Sequence, residues 1–440
     1  MNTPTLKTRR EFLRHGMTGA SLAWTIPAFL GKTMDLLAAS ALPGTADDAK
    51  ILVVLQMAGG NDGLNTITPI SNDHYQRARP RLALKPGDLL KANDAWGFHP
   101  ALKGFKDLWD QGCLSVIQGV GYPNPNRSHF RSTEIWQTAS DSNRFATHGW
   151  LGRFFDHQCQ GCPATIGVHL GREAPQAFAG PRPLGISMES PERFRFAPLE
   201  SARDEGSTGE EKTYRELIAE DAMEGMPSSG QSIGSLPGAN ASGLQPLDFI
   251  QRTALDAQAG SDAINAVLRK GKPGEAYPSS KLAQSLQLVA RLITGGLATR
   301  VYYVSQGGYD THTQQSGAHA RLLGDLGDSL RAFVGDLRKQ GSLDRVLIMT
   351  FSEFGRRVAE NANGGTDHGA AAPMFLAGTS LRPGFHGSAP SLEPAKLERG
   401  DLKFTVDFRS VYASILSHWL KAPPAAVLGR KFDPLDFLKS

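Results

Sequence analysis

Five continuous apolar runs limit the folds open to this chain more than any other feature: ILVVLQM (51–57), CLSVIQGV (113–120), RVYYVSQ (300–306), RVLIMTF (345–351) and PMFLAG (373–378). A strand with one face in water alternates apolar and polar residues. These runs do not alternate, so both of their faces must be covered. Helical patterns lie between them. In AHARLLGDLGDSLRAFVGDLRKQG, Leu323, Leu326, Leu330, Phe333 and Leu337 recur every three or four residues and define one buried stripe. SKLAQSLQLVARLITGG (280–296) and DFRSVYASILSHWLK (407–421) read in the same way. Doubly covered strands alternating with helices predict a three-layer α/β/α sandwich around a mostly parallel central sheet.

The chain's ends and its middle read differently. The N-terminus, TRREFLRHGMTGASLAWTIPAFLGK, places Arg9-Arg10 before Phe12-Leu13 and an uncharged stretch, and then a small-residue region, LLAASALPG. It resembles a twin-arginine export signal over residues 1–42, cleaved near Ala41. The stretch is too short and too weakly apolar for a membrane span, and no later segment is apolar enough to cross a bilayer. Export by this route implies the twin-arginine translocase as a partner and a periplasmic or secreted location. The formal net charge is +4, of which the first 42 residues carry +3. The near-neutral remainder argues against nucleic acid or an anionic membrane as the main partner. Residues 48–440 read as a single α/β domain with a polar excursion at about 200–245. The Ser-, Gly- and Pro-rich part of that excursion, 226–243, offers no core and is expected to be mobile. Of the three cysteines, Cys159 and Cys162 form a C-x-x-C, read as a local disulfide or two free thiols rather than half of a zinc site.

In an open parallel sheet, ligands bind beyond the carboxyl ends of the strands. After the first run comes AGGNDGLN with Asp62. After the second comes GYPNPNRSHFRSTEIW, with Ser128 and His129 opening a helix. After the third comes GGYDTHTQQSGAH, with Asp310 and His312. After the fourth come Ser352-Glu353 and then GGTDHG, with Asp367 and His368. Asp, Glu and neutral His are ligands of divalent metals. Asp62, Asp310, His312, Asp367 and His368 would supply ligands for one or two ions, with Zn, Mg, Ca and Mn all compatible. Such ions suit phosphoryl or sulfuryl transfer. Ser128 at a helix N-terminus is a candidate nucleophile, with His129 and Glu353 as candidate catalytic neighbours. Plainer roles compete: a turn for Asp62, an N-cap for Ser128, and a structural ion pair between Glu353 and Arg356. His386 is a further candidate ligand.

GGNDGLN, NRSHFRSTEIWQT, GGYDTHTQQ with a following His, TFSEFGRRVAEN and GTDHG, in this order behind the leader, resemble the bacterial domain-of-unknown-function family 1501. That family is in turn similar to the alkaline phosphatase and sulfatase superfamily, an α/β/α sandwich with a metal site at the strand ends. The resemblance implies that Asp62 takes the role of the first-strand Asp and that Ser128 sits where the nucleophile opens a helix. It also implies that Asp310 and His312 form one ligand pair, and that Asp367 and His368 match the adjacent Asp-His pair. Two functions follow. One is an exported metal-dependent hydrolase of phosphate or sulfate esters, with a small-molecule or polymer substrate. The other is a non-catalytic exported binding or assembly protein that works beside an exported partner.

Overall fold

Burial of both faces of the apolar runs is met by two hydrophobic clusters, one on each side of a central sheet. Ile51, Val53, Leu55 and Met57 of the first strand enter one cluster, while Leu52 and Val54 enter the other. The computed structural model describes residues 49–158, 162–182, 184–191, 259–270 and 274–439. The expected export signal, the excursion at about 200–245 and Cys159 lie outside the described residues.

In chain order the strands are β1 (Ile51–Met57), β2 (Ile67–Pro69), β3 (Leu90–Lys91), β4 (Trp96–Phe98), β5 (Leu114–Gly121), β6 (Gly167–Leu170), β7 (Ile186–Met188), β8 (Val301–Gln306), β9 (Val346–Phe351), β10 (Ala372–Ala377), β11 (Gly384–His386) and β12 (Val406–Asp407). The five expected strands appear as β1, β5, β8, β9 and β10. The central sheet runs β11-β5-β10-β9-β1-β8-β6-β7, with β12 also on β5, and β2-β4-β3 form a small separate sheet. All central pairings are parallel except those of β10, which runs antiparallel to both β5 and β9. The cause is the connection from Ser352 to Ala371, which contains no helix. A parallel neighbour needs a crossover, usually a helix, so without one the chain doubles back.

Helices cover both faces. Lys281–Thr294 and Gln315–Lys339 pack on one face through Leu286, Val289, Leu323, Leu330 and Phe333. His129–Thr138, Trp150–Gln158 and Phe408–Leu420 pack on the other through Trp136, Phe154, Tyr412 and Trp419; the last of these turns from α to π geometry at Ile415. The result is a three-layer α/β/α sandwich. Among the described residues no helix is long and apolar enough to cross a membrane.

This topology decides where chemistry can collect. The carboxyl ends of β1, β5, β8 and β9 share one edge of the sheet. Because β10 is reversed, the loop that enters it, carrying Asp367 and His368, arrives at the same edge.

Candidate metal centre

The motif NRSHFRSTEIWQT folds as the helix His129–Thr138. His129, Ser132 and Trp136 stand three and seven residues apart, so they share one face. Ser132 Oγ and Trp136 Nε1 both donate to the main-chain carbonyl of Glu353, Trp136 at 2.8 Å. Trp136 also stacks between Phe351 and Phe408, with ring centroids 5.3 and 4.3 Å away. This anchorage sets His129 against the loop after β9, its Nδ1 2.9 Å from Glu353 Oε1. Glu353 is 2% exposed; its Oε1 also accepts the Gly59 N–H at 2.8 Å, and its buried Oε2 has no hydrogen-bond partner among the described residues.

Two more imidazoles are held in the same manner. His368 Nδ1 lies 2.8 Å from the carbonyl of Arg127. His312 Nδ1 faces Asp367 Oδ1 at 3.4 Å, and Asn361 Nδ2 donates to that same oxygen at 3.1 Å. The Nε2 atoms of all three converge on Asp310. Those of His312 and His368 are 2.9 and 3.1 Å from Oδ1, and that of His129 is 3.4 Å from Oδ2. The Nε2 atoms of His312 and His368 are themselves 2.9 Å apart. Donor atoms of His129, Asp310 and His368 all lie within 4.8 Å of one another. The ring of Phe354 lies against His129 and His368, centroids 5.0 and 4.3 Å away, and walls one side.

The partners assign the tautomers. A carbonyl or carboxylate oxygen only accepts, so each Nδ1 is the donor and each neutral ring turns an Nε2 lone pair inward. Three inward lone pairs around a carboxylate repel one another unless a cation lies among them. An acceptor behind the ring and a free nitrogen in front is also how metal-ligating histidines are held. The donor set therefore fits a divalent ion. Burial opposes ionisation of Asp310, but the hydrogen bond and charge of Arg356 act against it and help hold the carboxyl below its usual range.

Arg356 ties the loops together. Its side chain is fully buried and donates to the carbonyls of Gly59, Gly60, Thr366 and Tyr309 at 2.5, 2.6, 2.7 and 2.9 Å, and to Asp310 Oδ1 at 2.8 Å. Glu353 and Arg356 thus take different partners, and the plainer alternative of an ion pair between them is not what forms. Gly59 permits the close approach. It has φ +121°, and a Cβ there would stand 2.5 Å from the Asp310 nitrogen.

Asp62 lies one layer below. Its Oδ2 takes Arg79 Nη1 at 2.6 Å, with both side chains fully buried, and also accepts from Gln315 Nε2. Burial raises the Asp62 pKa, but the Arg79 charge and hydrogen bond more than offset it, so the carboxyl stays below its usual range. Gln315, with its orientation fixed in this way, accepts at Oε1 from Thr311 and Thr366 at 3.1 and 2.6 Å. It thereby pins the 310–312 and 366–368 loops side by side. Gln315 and Asn361 are positioning residues that the motifs alone do not single out. The hint for Gln315 is its place three residues after His312, as the first residue of its helix.

Of the expected site residues, then, Asp310, His312, Asp367 and His368 come together with His129 and Glu353. Asp62 acts on the site's loops through Gln315. Ser128 occupies the N-cap position of its helix, exposed, with no capping hydrogen bond from its hydroxyl. It stands between Arg127 and His129, both of which touch the cluster. His386 on β11 bonds the Arg382 carbonyl at 2.8 Å instead.

Comparison with solved structures finds similar chains at low identity. A lipoteichoic acid synthase, LtaP, from Listeria monocytogenes is 7% identical, over 80% of this chain and 73% of that one, with a TM-score of 0.33. A sulfatase from Pseudoalteromonas sp. is 9% identical, over 82% and 68%, with a TM-score of 0.32. Alkaline phosphatase from the Antarctic bacterium TAB5 is 11% identical, over 77% and 94%, with a TM-score of 0.32. Likeness this loose carries no weight on chemistry, which rests on the residues. No curated protein matches the chain. Residues 49–417 match the family described as "Protein of unknown function (DUF1501)", and the chain belongs to that family.

Proposed function

We propose that this protein is an exported, metal-dependent hydrolase of phosphate or sulfate esters. One observation carries the reading: three imidazoles, each held by an acceptor at Nδ1, aim their Nε2 atoms at Asp310. His129, Asp310, His312 and His368 would hold the ion, with Asp367, Glu353 and the Arg127 carbonyl orienting the rings. Three nitrogens and one carboxylate suit zinc better than magnesium, calcium or manganese, which favour oxygen. Asp62 already has Arg79 as its cation, so the proposal is for one ion per chain. When bound, the ion would supply Lewis-acid polarisation of an ester oxygen. Ser128 is the proposed nucleophile. The twin-arginine leader supports export of the folded protein, already loaded with its metal, to the periplasm or beyond.

The test is metal analysis of protein exported by its own leader, followed by a panel of phosphate and sulfate esters. About one zinc per chain is expected, with turnover that a chelator abolishes and the metal restores. Protein that retains no metal would mean that protons hold the three imidazoles around Asp310, and the binding-protein reading would replace this one.

A second measurement probes the support behind His129. Glu353→Gln keeps an acceptor for Gly59 and His129 but removes the negative charge behind the ring. Metal affinity should fall about 10- to 100-fold, as for other carboxylates behind a ligating histidine. An unchanged affinity in a competition titration would remove His129 from the ligand set.

A further inference from the structure

We infer that Arg127 and Arg357, both held by Asp401, form a subsite for a second anionic group of the substrate. The ester taken at the metal centre would then belong to a polyanion, a refinement that rests on the hydrolase reading.

Asp401 is 2% exposed at its side chain and pairs with both arginines: Oδ2 meets Arg127 Nη2, and Oδ1, which accepts no hydrogen bond among the described residues, lies 3.4 Å from Arg357 Nε as an ion pair. Arg357 Nη2 also donates to the Arg399 carbonyl at 2.9 Å. Two guanidinium groups share one carboxylate, leaving one net positive charge. Neither arginine is buried: their side chains are 39% and 36% exposed. Arg127 Nε and Nη1 and Arg357 Nη1 have no hydrogen-bond partner among the described residues. Arginines fixed at one end by a buried acid, with N–H groups still free, are preorganised to take an oxyanion.

Their position sets which anion. The Arg127 carbonyl takes His368 Nδ1, so its main chain stands behind that ring, on the side away from the Nε2 atoms. The Arg357 main-chain N–H donates to the Asp367 carbonyl at 3.0 Å, which puts Arg357 behind the His312 support as well. Asp367 is itself engaged by Asn361 and His312. Both arginines are tied through their main chains to the loops that hold the imidazoles, while their guanidiniums pair with Asp401 and the Arg399 carbonyl and make no ion pair with Asp310 among the described residues, so the subsite is offset from the metal centre. That offset suits a neighbouring sulfate, phosphate or carboxylate on the same molecule, not the reacting ester.

The experiment measures binding of dextran sulfate, with unsulfated dextran as control, to the full-length metal-loaded protein at physiological ionic strength. Wild type should bind only the sulfated polymer. Arg127→Gln and Arg357→Gln should each weaken binding about tenfold, with metal content and melting temperature unchanged. Arg331→Gln, which removes a surface arginine on Gln315–Lys339, should bind as wild type does. Equal binding by all three variants, equal weakening by all three, or no binding by wild type would overturn the subsite. Should either Gln variant fail to fold, Arg127→Lys and Arg357→Lys keep the charge and lose the planar fork; weaker binding then supports the subsite and unchanged binding overturns it. If binding depends on both arginines while no ester is turned over, the subsite stands and the hydrolase reading falls.

Discussion

Arg356→Met should lower folding stability by about 3 kcal/mol, chiefly the cost of stranding four main-chain acceptors that the buried guanidinium satisfies. The guanidinium reaches four carbonyls and one carboxylate that arrive from three separate connections: after β1, after β8, and before β10. Methionine fills similar space but offers no donor, so these acceptors would be stranded, and buried acceptors without partners are costly. Arg356→Lys keeps the charge but has one ammonium for acceptors spread over all three connections, so an intermediate loss is expected. Denaturant titration of the metal-free protein is the measurement, because a bound ion would mask the effect by binding only the folded state. The midpoint should fall with little change in slope. A loss below about 1 kcal/mol would show that the loops hold themselves and that Arg356 merely fills the space between them.

The same residue marks the limit of what can be read from the chain. The five long strands are legible because a continuous apolar run has few other uses, and the strand-end rule then points to Asp310, His312, Asp367 and His368 with no further help. The direction of β10 is harder, since PMFLAG reads the same both ways; only the lack of a helical stripe between Phe351 and Ala372 gives it away. Strands β6, β7, β11 and β12 are two to four residues long, too short for any periodicity to show. Partner choice is not legible at all. His129 meets Glu353 across 224 positions, and nothing local distinguishes that pairing from one between Glu353 and Arg356 on the same loop. Asp62 looks like a ligand because it follows a strand. Its actual partner, Arg79, sits at the end of a short helix and becomes visible only once the chain has folded back. Motifs thus locate the site, while charge pairing through the buried layer decides which carboxylates remain free to act.

Ser128→Ala is the second large effect, and it falls on activity. If Ser128 is the nucleophile, its Oγ bonds to phosphorus or sulfur as the ester's alcohol leaves carrying the serine proton. Water then releases phosphate or sulfate and restores the hydroxyl. Alanine cannot do this, so turnover should drop by roughly 10³-fold or more, as for other removed nucleophiles. Stability should barely change. An N-cap serine that bonds the helix costs about 1 kcal/mol when removed, but the Ser128 hydroxyl makes no such bond, which leaves little to lose. Metal content should also hold, because Ser128 is not among the proposed ligands. The three readings separate the alternatives. A drop in stability with activity intact would make Ser128 a cap after all. A partial loss of activity, with no phosphorylated or sulfated enzyme trapped on rapid acid quench, would leave water as the attacking group and Ser128 as a guide for the substrate. Full loss with metal and melting temperature unchanged, and a trapped adduct in wild type alone, would place the nucleophile between Arg127 and His129, at the first turn of the helix that Trp136 anchors to the Glu353 carbonyl.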